Sequence, residues 1–395
     1  MYVAILGRQP AIGMAELERL YGESAVRWFS DMSTTIEHEQ FNFDRLGGSQ
    51  KAGRVVQKTR GDWRTVSMQI VGMYEKTWNN HDGKITLGIS AYGFSASPRD
   101  VQRTGIMLKQ KLKHHGVSLR LIPNAEPALG TATSHHNKLG LSHNHVELLV
   151  IRNSSGSVLV AESVGSQNIT ALAARDQARP HTDAFVGMLP PKLARMMVNM
   201  ATGALSDSLE TASPAQLILD PFCGTGVVLQ EAALLGYNVY GTDLSEKMVD
   251  YSTKNLDWLS EKYRIPSSVT IEHGDAMTHT WSPTPSAVVA ETYLGQPFSA
   301  PPSPAKLVEV RGNCNHIITQ FLKNITSQLP SGTPLCLAVP AWRDSAGLFT
   351  HLPFISQLDS LGYQRVSLKH VRHEQLLYYR ETQVVARELL LLKRS

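Results

Sequence analysis

Leu217-Ile218-Leu219-Asp220-Pro221-Phe222-Cys223-Gly224-Thr225-Gly226-Val227-Val228-Leu229 reads as a buried strand, a tight turn and the start of a helix. Three apolar residues end in an acid, two glycines follow, and the apolar run Val227–Leu235 has helical character. Glycine at 224 and 226 lets the backbone turn sharply and approach a ligand with no Cβ in the way. A helix starting near Val227 points free N–H groups at the same place. A glycine pair alone is weak, because many strand–helix turns carry one, so its neighbours must decide.

They separate two cofactors. A dinucleotide fingerprint wants Gly or Ala three residues after the second glycine, where helix and strand close over a pyrophosphate; this chain has Leu229. Asp220 before the turn repels phosphate and suits a cation such as the amino group or sulfonium of S-adenosylmethionine. Asn238-Val239-Tyr240-Gly241-Thr242-Asp243 is a second short strand ending in an acid. Asp243 lies 19 residues after Gly224, close to the spacing of roughly 20 at which an acid takes ribose hydroxyls. Capping the next helix is its plainer role.

Outward from this centre the strand–helix alternation continues. Ser245–Leu256 reads as a helix, Val269–Glu272 as a strand leading to Gly274-Asp275-Ala276, and Ala287–Ala290 as a strand ending at Glu291. Leu335–Val339 is a strand, and Gln364–Lys369 with Thr382–Leu392 forms a closing antiparallel pair. Such alternation predicts an α/β fold, a mostly parallel Rossmann-like sheet with ligands at the carboxyl ends of its strands. Asp220, Asp243, Asp275 and Glu291 all fall at such ends.

The N-terminal part reads as α+β. Strands are expected at Tyr2–Leu6, Ala25–Phe29 and Thr34–Glu37, a helix at Met14–Tyr21 closed by Gly22, and a helix or turn at Leu46-Gly47-Gly48. A strand at Ile85–Gly93, a basic helix at Pro98–His115 and strands at 117–122, 146–151 and 157–163 follow. The polar, Pro-containing stretch through Ala174–His181 marks a connector, and Pro190-Pro191 starts a helix whose apolar residues at 193, 196, 197 and 200 pack inward. The expected domains are 1–80, 81–163, a linker 164–186, and 187–395.

Composition limits the function classes. The 395 residues are 42% hydrophobic and 18% charged, an ordinary globular composition sufficient for two or three cores. Three scattered cysteines, Cys223, Cys314 and Cys336, form no disulfide framework or metal spacing, which fits a reducing, cytoplasmic setting. The opening apolar run is too short for a signal segment, no span suits a membrane, and no metal cluster is visible. Net charge is only +4, but Arg99–Arg152 holds eight Lys/Arg against three acids and six of the 15 histidines. That excess is the footprint of a polyanion site or of an ordinary solvated helix face; RNA is the expected polyanion.

Four stretches resemble one known family. They are Tyr2-Val3-Ala4-Ile5-Leu6-Gly7-Arg8, Arg99–Ser163, the Val186-Gly187-Met188-Leu189-Pro190-Pro191-Lys192-Leu193-Ala194 linker, and the Asp220–Gly226 loop; the tail Tyr378–Arg387 is similar to the same family's closing hairpin. The family is the THUMP-domain tRNA guanosine-N2 methyltransferases, which act on the position-ten guanosine. The resemblance implies a ferredoxin-like region (1–80) and a THUMP module (81–163) that hold tRNA, the THUMP module near the acceptor end. A Rossmann-like domain (187–395) would bind S-adenosylmethionine. It assigns the cofactor to Asp220, Phe222, Gly224, Gly226, Asp243, Leu244, Asp275, Ala276 and Pro190. RNA phosphates would go to Lys109, Lys111, Lys113, Arg120 and Lys138, and catalysis to Glu291, Thr292 and Tyr293. A small activating protein subunit is a further partner it leaves room for.

One departure stands out. The family carries Asp/Asn-Pro-Pro-Tyr/Phe at the end of the fourth strand, where this chain has Glu291-Thr292-Tyr293-Leu294-Gly295. The exocyclic amine of guanine is a poor nucleophile, because its lone pair is delocalised into the ring. An acceptor must bind its N–H groups, aim the lone pair and receive the proton, and an aromatic must stack on the base. Glu291 can accept and Tyr293 can stack, but without the prolines no backbone carbonyl is obliged to point inward. The alternative expectation is therefore a tRNA-binding protein whose methyltransferase domain holds cofactor but is inactive or altered in specificity. The Ser/Pro-rich Phe298–Pro304 is expected as a flap over the base or a plain surface loop. No cysteine stands where pyrimidine methylation would need one, and neither the H-x-E/P-C-x-x-C deaminase signature nor a Ser-Gly-Gly nucleotide loop occurs.

Overall fold

In the computed structural model, the described residues are 1–183, 188–203 and 216–395. The Val186-Gly187 part of the linker motif lies outside them. Backbone contacts divide the chain into two compact units.

The first unit holds β1 (Tyr2–Leu6), β2 (Val26–Ser30), β3 (Ser33–Ile36), β4 (Ser49–Arg60), β5 (Ile85–Tyr92), β6 (Leu119–Leu121), β7 (His145–Arg152) and β8 (Ser157–Ser166). Among the described residues they form one sheet in the order β2-β3-β1-β4-β8-β7-β5-β6. Pairing is antiparallel except where β5 lies parallel to β6 and β7. The 12-residue strand β4 runs against β8 from Lys51↔Ser166 to Arg60↔Ser157. The boundary expected near residue 80 therefore falls inside one continuous sheet.

Helices α2 (Trp63–Thr77) and α3 (Pro98–His114) cover the sheet, their apolar stripes meeting β5, β7 and β8 in a core that includes Ile70, Tyr74, Val101, Leu108 and Leu148. No sequence expectation covers α2, although its five buried residues, Trp63, Val66, Ile70, Val71 and Tyr74, recur at helical spacing; its start is marked by Asp62, which accepts Thr65 N–H at 2.9 Å. Inside the sheet Lys51 is 2% exposed and pairs with Glu147, also within reach of the Leu129 carbonyl. Such a buried pair makes register unique more than it adds stability.

The second unit is residues 172–395 joined by 11–23 and 45–48. Its sheet runs β11 (Val269–His273), β10 (Asn238–Asp243), β9 (Leu217–Asp220), β12 (Ala287–Glu291), β13 (Pro334–Arg343), β17 (Val385–Arg394) and β15 (Tyr363–Arg365), with β14 (Phe349–Thr350) on β13 and β16 (Leu377–Tyr378) on β17. The first five are parallel, and β17 is antiparallel to β13 and β15, as the alternation predicted. Helices α7 (Val227–Leu234), α8 (Glu246–Tyr263) and α9 (Pro304–Thr326) make the crossovers. The flap residues run directly into α9, capped by Ser303, and Phe298 packs on the core.

Two corrections concern segments whose polarity suggested exposure. The stretch 164–186 is not a bare linker: besides the short α4 (Thr131–His136) upstream, it contains α5 (Ile169–Gln177), and buried Arg175 joins Arg195 of α6 (Pro191–Thr202) on the buried Glu231 of α7 at 2.5 and 2.7 Å. Leu46-Gly47-Gly48 is neither helix nor hairpin turn. It threads between α6 and α1 (Pro10–Tyr21) so closely that a Cβ on Gly47 would meet the Lys192 carbonyl of α6 at 2.5 Å and one on Gly48 the Gly13 Cα of α1 at 2.7 Å.

Buried Glu16 of α1 accepts the N–H groups of Gly47 and Gly48, each at 2.8 Å, and the Asn199 amide at 2.7 Å. Glu18 accepts Lys369 and His370 N–H at 2.6 and 3.0 Å. An N-terminal helix is thus wired into the second unit, which no local pattern announces. Replacing Glu16 by Ala strands three buried donors and is expected to destabilise the protein by about 3 kcal/mol, whereas Glu16→Gln, retaining one acceptor, costs less. Urea midpoints check this, and equal midpoints for the two variants would contradict it.

Candidate active site

The carboxyl ends of the parallel strands carry the site. Asp220 closes β9 and is 2% exposed; Oδ1 accepts Phe222 N–H at 3.1 Å, and the second oxygen has no partner among the described residues. Asp243 closes β10, its Oδ2 accepting Gly224 N–H and its Oδ1 Ser245 N–H, each at 2.9 Å. Each of those oxygens keeps a second lone pair for a hydroxyl. Thus Asp243 fixes the glycine loop, caps the turn into α8 and remains able to take a diol; the two expected roles coexist.

The glycines differ in purpose. Gly226 has φ +81°, and a Cβ there would meet Ser252 Oγ at 2.6 Å, so it lets α7 and α8 close together. Gly224 has φ +51° with open space in front of it, as a backbone facing a ligand requires. Leu229, the residue that broke the dinucleotide pattern, fits because its strand partner is a glycine: a Cβ on Gly241 would lie 2.4 Å from Leu229 Cδ1. The tight helix–strand contact is kept with the small residue moved to the strand.

A recess of about 70 Å³ opens over this loop, lined by Asp220, Phe222, Cys223, Gly224, Thr225, Val227, Val228 and Glu291 together with Asp183, Met188, Leu189 and Met248. The last four were not legible in the sequence. Asn255 explains how they arrive: its amide donates to His181 and Thr225 carbonyls at 2.9 Å each, and its oxygen accepts His181 N–H at 2.9 Å. One buried side chain on α8 thereby clamps the preceding connector onto the glycine loop. A buried Asn on an otherwise apolar helix face was the available signal. The first unit has a larger recess of about 630 Å³ around Tyr2, Arg54 and Lys58, but it is a wide surface trough in which Glu37 and Glu39 are mixed with those cations.

The other assigned cofactor residues are placed less directly. Leu244 is 66% exposed beside Asp243, free to cover a flat ring. Asp275 is half-buried just past β11 and accepts Met277 N–H at 2.9 Å. Pro190 caps α6, its carbonyl accepting Leu193 and Ala194 N–H. Ala276 is instead part of the core, 4% exposed beneath α9.

Among the candidate catalytic residues, Glu291 ends β12 in the recess with Asp220, its carboxylate ion-paired with Arg387 of β17. Arg387 was overlooked because it lies 96 residues away in sequence. Thr292 does not face the recess: its N–H and hydroxyl both go to the Ala338 carbonyl, at 3.0 and 3.1 Å, because the chain still follows the edge of β13 there. Tyr293 is 41% exposed and does not line the recess.

Burial raises the Asp220 carboxyl well above the usual range, with Asp243 and Glu291 adding repulsion; Phe222 N–H opposes this. Asp243 and Glu291 are raised too, burial being the first cause in each, with backbone donors opposing it at Asp243 and Arg387 at Glu291. The same burial pushes the Cys223 thiol up, which makes it inert packing. A group raised on folding contributes stability below its unfolded pKa and loses it as pH rises through the folded value. The free protein therefore carries a cost near neutrality that a bound cation relieves. The donor set, a desolvated acid beside a diol-competent acid and an open glycine, fits S-adenosylmethionine.

In the first unit, Lys84, Lys109, Lys113 and Arg120 line one groove with Gly116-Val117-Ser118. Lys111 is not among them; it points to α2 and pairs with Glu75 at 2.5 Å, because residues two apart on a helix diverge. Lys138 lies outside the groove, exposed in left-handed backbone with φ +56°.

The fold is Rossmann-like, with this recess at the carboxyl ends of its parallel strands. A family model described as a DNA methylase matches residues 74–254, under half the chain. The chain is 31% identical over 199 residues to the tRNA (guanine(10)-N2)-dimethyltransferase of Methanothermobacter thermautotrophicus, covering 50% of this chain and 52% of that protein. It is 42% identical over 112 residues to the enzyme of the same name from Pyrococcus abyssi, covering 28% and 26%. The matches thus span about half of these curated relatives or less. The crystal structure of TrmN from Thermus thermophilus shares the fold, with TM-score 0.52, 16% identity, and coverage of 100% of this chain and 99% of that one. A possible methylase from Clostridium difficile 630 does likewise, with TM-score 0.52, 11% identity and coverage of 98% and 97%.

Lowering the pH from about 8 to about 5 is expected to weaken binding of S-adenosylmethionine as the raised carboxyls protonate, with Asp220→Asn flattening the dependence. Calorimetric titration across that range checks it; a pH-independent affinity in the unmodified protein would contradict the assignment.

Proposed function

We propose that this chain is an S-adenosylmethionine-dependent RNA methyltransferase that methylates the exocyclic N2 of a guanosine in tRNA. The observation that carries this reading is the placing of Glu291, at the end of the fourth strand of the parallel series, in one recess with Asp220 and the glycine loop. The similarity to the guanine-N2 enzymes supports the acceptor.

When bound, S-adenosylmethionine supplies an electrophilic methyl group on a sulfonium. Asp220 balances the cationic end in a setting where few waters compete, and Asp243 accepts ribose hydroxyls while its backbone donors keep it in place. Glu291 would accept an N–H of the amine, orient its lone pair toward the methyl group that the cofactor would supply, and take up the proton that the amine releases. Leu244 and Phe222 supply apolar cover on either side of the Asp243 turn.

The first unit, proposed to comprise the ferredoxin-like and THUMP regions, would hold the tRNA through the Lys84–Lys109–Lys113–Arg120 groove. A small activating subunit remains part of the proposal, as does a cytoplasmic setting; no described helix is long and apolar enough to cross a membrane. A second reading, a tRNA-binding protein that retains cofactor without turnover, is favoured by one observation: Thr292 is hydrogen-bonded to Ala338 of β13 through both its N–H and its hydroxyl and does not line the recess.

Labelled methyl transfer to unmodified tRNA decides between them. Activity is expected in the wild type, falling by about 100-fold or more in Glu291→Ala and Asp220→Ala, with the product identified by mass spectrometry of the digested nucleosides. No transfer to any tRNA, with cofactor binding intact, would leave the second reading standing. For the RNA groove, Lys109→Glu with Lys113→Glu is expected to weaken tRNA binding and lower the slope of log affinity against log salt by about 2, while Lys111→Ala leaves that slope nearly unchanged. Filter binding at graded salt measures both.

A further inference from the structure

We propose that Arg387 is a positioning residue for the acceptor chemistry, holding one oxygen of Glu291 so that the other is presented, ionised, to the incoming amine. This rests on the methyltransferase reading above and adds a residue from a strand that the fourth-strand motif does not include.

The argument begins with register. Glu291 pairs with Ala338 in the parallel ladder, and Ala338 pairs with Leu389 of β17. Two residues further along the same face, Arg387 sits opposite Pro340. Residues i and i+2 of a strand share a face, and directly paired residues share it too. Glu291, Ala338, Pro340 and Arg387 therefore occupy one face of the sheet, with β13 extending past the end of β12. Arg387 is the long side chain in that set able to reach back to the end of β12, and its Nε donates to Glu291 Oε1.

The pair is built rather than incidental. The Arg387 side chain is 7% exposed and that of Glu291 19%, so water screens neither fully. On the opposite side of β17, Tyr378 of β16 is the register partner of Arg387, which puts their Cβ atoms roughly 5 Å apart on one face. Glu291 Oε2, by contrast, has no hydrogen-bond partner among the described residues, and the carboxylate lines the recess. One oxygen is spoken for and one is offered, the arrangement that a single N–H donor needs.

Charge gives the same assignment. Glu291 has Arg387 of β17 and Asp220 at the end of β9 as its charged neighbours, while Asp183, which also lines the recess, is paired with Lys247 at 3.2 Å. The acid neighbour and burial both favour the neutral form of Glu291. Arg387 is the cation that keeps the carboxylate an acceptor instead of a protonated donor. The families with Asp/Asn-Pro-Pro-aromatic use a rigid backbone at this point; here the carboxylate is held from the neighbouring strand instead.

The test measures methyl transfer to unmodified tRNA against pH for wild type, Arg387→Met and Arg387→Lys, with cofactor affinity measured alongside. If Arg387 positions and ionises Glu291, Arg387→Met binds cofactor within about twofold of wild type but loses about 100-fold in kcat. The acidic limb of its rate profile moves to higher pH, because protonation of Glu291 becomes easier, and Arg387→Lys recovers part of both. The cofactor measurement shows that the variant is folded. Should Arg387→Met match wild type in rate and profile, or should both variants lose rate with an unshifted profile, the positioning role is overturned while the methyltransferase reading stands. Wild type that transfers no methyl group overturns that reading and the inference with it.

Discussion

Three carboxylates at the ends of adjacent strands, two of them lining one recess and the third close enough to repel Asp220, are the constraint around which the second unit is organised. Asp220 is the most severe case, a desolvated acid with two acidic neighbours and a single backbone donor. Such a cluster persists only where the surrounding structure fixes it, because each member would otherwise turn outward or pull in water. The fixing groups are visible: Phe222 N–H on Asp220, Gly224 and Ser245 N–H on Asp243, and Arg387 on Glu291. The glycine loop is thus held by one of the acids that it serves. A cationic ligand completes the electrostatics, which makes ligand affinity and protonation state one coupled quantity.

The rest of the unit supports this edge from below and from the side. Asn255 ties the connector and the glycine loop together, so that Asp183 and Met188 become walls of the recess although they precede the sheet in sequence. The buried Glu231 gathers Arg175 and Arg195, fastening α5 and α6 to α7 directly behind the loop. Helix α1 belongs to the same unit through Glu16 and Glu18, whose oxygens take five donors between them. These are polar interactions in dry surroundings, where loss of one partner leaves the other buried and unsatisfied. Their common effect is to make the connector, the loop and the N-terminal helix one mechanical piece.

The first unit shows the same logic with a different result. Its sheet is closed by β4 running against β8, which fuses stretches that a reader of the sequence would divide near residue 80. The basic helix α3 then presents two faces: Lys111 satisfies Glu75 on α2, while Lys109 and Lys113 share a groove with Lys84 and Arg120. A count of positive charges treats all these residues alike. Only helix geometry separates a structural ion pair from cations left available to an anion.

The sequence alone determined the parallel strand–helix series and the acids at the strand ends. Both are local properties: apolar runs of strand length, glycines at turns, and one acid closing each run. It also argued against a dinucleotide loop, since that depended on Asp220 and Leu229, nine residues apart. Tertiary structure decided everything that depended on two distant segments meeting. Leu229 was tolerable only because Gly241 lies beneath it; Thr292 was spent on a neighbouring carbonyl because β13 runs past it; Glu291 acquired Arg387 from β17, and α1 acquired a place beside Gly47-Gly48. Periodicity reports which face a residue takes on its own element. The partner it finds there is set by register and crossover, and at the end of β12 that partner is the cation that turns a buried acid into a candidate acceptor.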